Sequence, residues 1–318
     1  MYGKQNCTTT DQGGLMSEAC YGLKLDLHNH SDKSDGKYTP AAVIRKAEEA
    51  GIDVFCLSDH DNVSGIDEAY EESLKTSVKL VAGVEITTPD KIHIQGLCLD
   101  IRNKRLAALL EEQHRTRRQH TWDICDKLEK VTGIKIDYND LISTFPGTIN
   151  KLSLSQYLLS KNLVKPDTVE NVYHEYFGPC GKIQMGEAGW CRMEDAVDCI
   201  LKAGGIPVLA HIWRYFDPKN PENTREKRLE MMHELTERFK KAGGEAMETL
   251  GSKQGEKEET GYELTCPSEL ALEFDLYASC GTDYHMDEKC RLGVRYDFDK
   301  RLKPVWMHPK FRFYRPAD

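Results

Sequence analysis

Short continuous apolar runs alternate along the chain with stretches whose apolar residues recur at helical spacing, a rhythm that predicts an α/β fold built on parallel strands. The first run opens LDLHNHSDKSDG (25–36), a brief strand passing straight into a polar loop. Thr39-Pro40 then starts a helix, Thr as N-cap and Pro in the first turn. AAVIRKAEEAG carries its apolar residues at helical spacing, and Gly51 ends it. IDVFCLS is the kind of run expected of a strand buried on both faces, which completes a β-α-β unit. The rhythm continues with a helix over 64–75 and the strands VKLVAGVEIT and KIHIQGLCLD.

From 103 to 190 the character changes to charged, helix-forming sequence with weak turns and no strand-like run. The α/β rhythm then resumes with the helix MEDAVDCILKAGG and the strands IPVLAH, GGEAMETLG and LYASCGTDYH, before a final stretch that reads as a closing edge or tail. The expected organisation is a polar lead-in over 1–20, an α/β body over 21–102 and 191–318, and a helical insertion over 103–190.

Composition bounds what this body can do. The 318 residues, 39% hydrophobic and 30% charged, suffice for a sizeable core, and a net charge of −9 argues against a duplex-DNA partner, which demands a broad basic surface. The apolar runs are strand-length rather than membrane-length, and the polar start MYGKQNCTTTDQGG does not read as a signal peptide, so no membrane partner and a cytoplasmic location are expected. Eleven cysteines without a CxxC pair suit reduced thiols, and Cys56, Cys98 and Cys280 lie in apolar runs where they would act as small packing groups.

The chemistry gathers at the strand ends. His28 and His30 alternate onto one face of the first strand, and Asp35 adds a hard oxygen donor five residues on. Alone, that pair reads equally as two strand histidines without a metal. His60, Glu85, His93, His211, Asp283 and His285 extend the set, each at or just beyond a strand end, where parallel α/β folds collect their ligands. The other histidines, His114, His120, His174, His233 and His308, fall in helical or tail sequence and read as ordinary surface or core residues. Asp59 and Asp61 flank His60, and Asp26 shares the strand face of His28. Such carboxylates either accept a ring N–H from a metal-bound histidine or serve as turn and helix-cap residues.

Together the motifs DLHNHSDKSDG, SDHD, GVE, HIQG, AH and TDYH, in order between residues 25 and 285, resemble the PHP (polymerase and histidinol phosphatase) superfamily. The resemblance implies a distorted (β/α)7-type barrel carrying an inserted, mainly helical subdomain. It also implies two or three divalent metal ions, Mn²⁺ foremost with Zn²⁺ or Fe²⁺ as alternatives. One ion would take His28, His30, Glu85 and Asp283; a second would share Glu85 and add His93 and His211; a third would take Asp35, His60 and His285. A carboxylate such as Glu85 can bridge two cations, and a hydroxide held between them would be the nucleophile, with Glu85, His211 and Asp283 acting through it.

The placing of the insertion resembles the branch that cleaves nucleotide phosphates and short oligoribonucleotides, so the expected activity is a phosphoesterase acting on a nucleotide phosphomonoester or short RNA. The rivals are a phosphatase of a non-nucleotide metabolite such as histidinol phosphate, and a metal-binding module without turnover. The branch is expected to open an insertion helix with Arg-Pro-His, where this chain has Asn150-Lys151-Leu152-Ser153; Lys151 offers a point charge instead of a bidentate fork. Ile212-Trp213-Arg214 follows His211 where a proline is usual, and Trp213 either stacks on a base or packs the rim. Arg115, Arg117 and Arg118 form either a phosphate-binding face or a solvated one offset by Glu111 and Glu112. Arg115, Arg118, Lys151, Trp213 and Arg214 are thus the candidate substrate contacts. The sequence leaves the oligomeric state open.

Overall fold

The computed structural model describes residues 23–316 apart from 146, 166, 179, 187, 217–223, 252–265, 288–289 and 295–298, so the 1–20 lead-in lies outside the described residues. In chain order the elements are β1 (Leu25–Asp26), α1 (Pro40–Glu49), β2 (Val54–Leu57), α2 (Ile66–Ser73), β3 (Lys79–Thr87) and β4 (His93–Leu97). Then come α3 (Lys104–Thr132), α4 (Tyr138–Thr144), α5 (Lys151–Ser160), α6 (Val169–Val172) and α7 (Met193–Lys202). The chain returns to the sheet with β5 (Ile206–Leu209), α8 (Arg225–Lys241), β6 (Ala246–Leu250), α9 (Cys266–Glu273) and β7 (Tyr277–Cys280). The strands lie side by side in sequence order, and the ring is drawn together by the parallel bridge Asn29–Tyr284 and by Leu27 N–H donating to Cys280 O at 3.0 Å. Gly281 permits that closure, since a Cβ there would come within 2.2 Å of His28 Cβ.

Strand alternation sorts the side chains. On β3, Val81 faces the barrel interior with Leu25, Cys56, Val208 and Cys280, and Glu85 keeps that parity at the far end. Leu80 and Ala82 pack outward beneath α1 and α2, while Val84 and Ile86 pack against α7 and its neighbours. The interior is therefore apolar in its lower half and rich in ligands at its upper rim. The C-terminal segment fills the lower end: Val305 and Trp306 join the interior cluster, and Tyr314 N–H donates to Leu80 O at 2.7 Å.

One strand departs from the expected rhythm. β4 pairs antiparallel with both β3 and β5, so His93 opens its strand instead of ending it and still reaches the upper rim. β4 delivers the chain to the lower end, from which α3 climbs the outside of the barrel; its 29 residues span about 44 Å. Leu106 and Leu110 pack into the barrel-side core, whereas Ile124 and Leu128 belong to a separate cluster with Leu141, Leu154, Tyr157, Val172 and Phe177. The change of core falls within α3. No helix of the described residues is long and apolar enough to cross a membrane.

Candidate metal centre

All nine sequence-singled ligands converge at the upper rim. Glu85, fully buried on β3, sits at the middle with its two oxygens facing different rings. Oε2 lies 3.1 Å from His28 Nε2, 3.2 Å from His30 Nε2 and 3.1 Å from His60 Nδ1; Oε1 lies 2.9 Å from both His93 Nδ1 and His211 Nε2. Asp283 Oδ1 closes the first side at 2.9 Å from His30 Nε2. Asp35 Oδ1 is 3.2 Å from His285 Nε2 and 3.9 Å from His60 Nε2. Three overlapping groups have ligand atoms within 4.8 Å of one another: His28, His30, Glu85 and Asp283; His30, Asp35, His60 and His285; and His60, Glu85 and His93.

Backbone turns, more than strand alternation, aim several of these side chains. β1 ends at Asp26, so His28 and His30 lie past the strand, yet their ring centroids approach to 5.2 Å. His211 has the parity of Leu209, which packs outward, and a positive φ of 25° turns it back to the interior; Asp283 takes a φ of 53° for the same purpose.

The donor set fits divalent cations. His28 Nε2, His60 Nδ1, His211 Nδ1, Glu85 Oε2 and Asp35 Oδ1 are buried without a hydrogen-bond partner, a concentration of orphaned donors and acceptors that a cation satisfies. The charges respond to one another. Burial works to raise the Glu85 carboxyl, but His28, His60 and His93 and the hydrogen bond from His211 prevail and hold it well below its ordinary range. Burial pushes His60 down to about 3 and lowers His211, so both rings are neutral and ready to ligate. His30 is driven the other way, to about 10, because its bonds to Asp283 and Glu85 outweigh the burial that would lower it.

The flanking carboxylates do other work. Asp59 accepts from Ser31 N–H at 2.7 Å and from the Ser31 and Ser34 hydroxyls, bracing the loop that carries Asp35, and touches no imidazole nitrogen. Asp26 holds Thr282 and Gly293, not the ring of His28. Asp61 turns away from His60 to pair with Arg117 and to accept from Thr87 N–H at 2.9 Å and Gln113 Nε2 at 3.1 Å. A further carboxylate at these rings is Glu248 on β6, 2.5 Å from His28 Nδ1. In the sequence it is one acidic residue inside a strand run, and only its inward parity with Ala246 marks it.

The candidate substrate contacts divide. Lys151 takes the first position of α5; the preceding Asn150 caps that helix and donates to Asp35 Oδ2 at 2.9 Å, so the helix start abuts the third ligand group. Burial and the nearby Lys91 lower the Lys151 ammonium. Arg214 pairs with Asp283 at the rim. Trp213 packs on the backbone at Gly251, where a Cβ would come within 2.6 Å of its ring. Arg115 and Arg118 pair with Glu112 and Glu111 on the exposed side of α3. His114 Nε2 donates to the rim backbone at Asp61 O, 2.7 Å away, and His120 packs against Trp190.

Comparisons with known proteins place the chain as a whole. The family model of the PHP domain matches residues 26–182. A 5′-3′ exoribonuclease from Haemophilus influenzae is 33% identical over 89% of this chain and 98% of its own. A 3′,5′-nucleoside bisphosphate phosphatase from Chromobacterium violaceum is 29% identical over 92% of this chain and 99% of its own. A solved amidohydrolase from Chromobacterium violaceum, with bound sulfate, superposes with a TM-score of 0.75 at 28% identity, covering 93% of this chain and 99% of that one. A ring of strands with histidines and carboxylates massed on one rim is consistent with the barrel of that family. The chain belongs to the PHP family and is a phosphoric ester hydrolase of that family.

Proposed function

We propose that the protein releases phosphate from a nucleotide, of the AMP or nucleoside 3′,5′-bisphosphate type, or trims short oligoribonucleotides, with Mn²⁺ as the preferred ion and Zn²⁺ or Fe²⁺ as substitutes. The observation that carries this reading is Glu85, whose two oxygens face separate sets of imidazoles, the arrangement a shared carboxylate requires. His28, His30 and Asp283 would hold one ion beside it, His93 and His211 a second, and Asp35, His60 and His285 a third. When bound, such cations supply Lewis acidity toward a phosphoryl oxygen and acidify water at neutral pH.

The chain's own residues do the rest. Lys151 at the head of α5 and Arg214 beside Asp283 bring two cationic side chains to the rim, and they are the groups proposed to orient the phosphate. Arg115 and Arg118 are offset by their own glutamates, which leaves them a weaker part in binding. The 103–190 segment is proposed as the substrate-facing subdomain because 147–151 docks directly on the Asp35 loop, with Thr148 N–H donating to Ser34 O at 2.9 Å. The nucleotide preference is supported by the activities named for the two relatives above. Buried thiols at Cys56 and Cys98 support a reducing, cytoplasmic setting.

The test is phosphate release from AMP, adenosine 3′,5′-bisphosphate, a short oligoribonucleotide and histidinol phosphate, after stripping the metal and rebuilding with Mn²⁺. Turnover of the nucleotide substrates is expected, and H28A and E85A should each lose at least about 100-fold. Turnover of histidinol phosphate alone would replace the nucleotide reading with the metabolite one. Undiminished hydrolysis by both variants would remove the proposed centre.

A further inference from the structure

Below the ligand groups, β6 presents Glu248 to the barrel interior, where it is only 1% exposed. Its Oε1 lies 2.5 Å from His28 Nδ1, and its Oε2 accepts the backbone N–H of His211 at 2.7 Å. These two histidines sit on opposite sides of Glu85, one at each carboxylate oxygen. We propose that Glu248 is a positioning residue, fixing the His28 ring with Nε2 toward the metal centre while pinning the backbone turn that carries His211. The inference rests on the metal-centre reading above.

The argument is one of proton placement. A neutral imidazole carries one N–H, and a carboxylate facing Nδ1 can only accept, so the proton sits on Nδ1 and the lone pair on Nε2. Nε2 is the atom directed at the centre, 3.1 Å from Glu85 Oε2 and 3.6 Å from Asp283 Oδ1. At His211 the contact is with the backbone: β5 has ended at Leu209, and the positive φ is held by a hydrogen bond from its own N–H to Glu248. One carboxylate thereby sets the ring of one ligand and the backbone of another on a different strand.

Glutamine at 248 keeps the shape but has one acceptor oxygen, so it cannot serve both N–H groups. With its amide toward Nδ1 it favours the other tautomer, which places a proton on Nε2 where the lone pair is needed.

The experiment uses the full chain as wild type, E248Q and H28A, stripped of metal and titrated with Zn²⁺ against a chelator of known affinity, with the Tm of each metal-free protein alongside. The expected result is a loss of Zn²⁺ affinity of about 10- to 100-fold in E248Q with a near-wild-type metal-free Tm. In the Zn²⁺-loaded wild type with ¹⁵N-labelled histidine, the ring assigned to His28 by its disappearance in H28A should carry its proton on Nδ1. Wild-type Zn²⁺ affinity in E248Q, or a His28 ring without a proton on Nδ1, would overturn the proposal. The labelled wild type decides the matter if E248Q does not fold. Zn²⁺ binding by H28A with unchanged stoichiometry and affinity is a separate outcome: it would remove the metal-centre reading itself.

Discussion

Glu85 places one carboxylate against five imidazoles, and the balance of charge among them determines how the centre exchanges protons for metal. In the metal-free protein His60 and His211 are held neutral by burial, whereas burial is outweighed at His28 by Glu85 and Glu248 and at His30 by Asp283 and Glu85. His28 and His30 are therefore protonated at neutral pH, and each must give up its proton to ligate. The sign follows: raising the pH removes the competing protons, so metal affinity climbs from neutral pH until His30 is deprotonated at about 10. Calorimetric titration of Zn²⁺ in buffers of different ionisation enthalpy should show about two protons released per chain near neutral pH. Release of none would mean that both rings are already neutral.

Between elements, the decisive join is α3 against the rim. Asp61, fully buried, holds Arg117, Gln113 and the backbone of Thr87, and its own N–H donates to Glu85 O at 2.8 Å. Burial would raise its carboxyl, but Arg117 leads the contacts that lower it. Asn fits the left-handed backbone at 61 (φ 50°), so D61N keeps the turn while removing the charge and one of the two acceptor oxygens. It should cost about 3 kcal/mol in urea unfolding, because Arg117 is left partly buried without its partner. A folded pKa below the unfolded value means that this contribution is intact above about pH 4 and is lost as the pH falls from there toward the folded value. D61N should accordingly flatten the acid limb of the stability curve; an unchanged limb would place the coupling elsewhere. None of this is legible in the motif around His60, since Arg117 lies 56 residues away on another element. The strands were legible because burial on both faces leaves continuous apolar runs at 54–57, 80–84 and 206–209. The direction of β4 was not: hydrogen-bond polarity leaves no mark on an apolar pattern, and His93 reads alike at either end of a strand. The nine residues that meet at the rim could be read because histidines and carboxylates crowd the strand ends, whereas Glu248 is a single acid within a strand run. Asp59 and Asp26 likewise show adjacency to a ligand without showing which groups they bind.

For the whole molecule, the barrel has two ends with separate duties. The lower is sealed by the C-terminal segment: Pro304 bridges to Ala278, and Trp306 is 4% exposed within the interior cluster. W306A should lower stability by about 3–5 kcal/mol while leaving Zn²⁺ affinity at its wild-type value, read by urea unfolding and chelator competition. A matched loss of affinity would show that the two ends are energetically coupled. The inverted β4 has a different consequence, one of chain parity. Because that strand runs downward, α3 can run upward and carry 118–190 to the reactive rim; after an upward strand, a following helix would descend and leave an insertion at the sealed end. The excursion also leaves and returns at one gate, where Cys191 N–H donates to Gln113 Oε1 at 2.9 Å. The helical superstructure thus leaves and rejoins the barrel between Gln113 and Cys191, and none of the strand pairings runs through it.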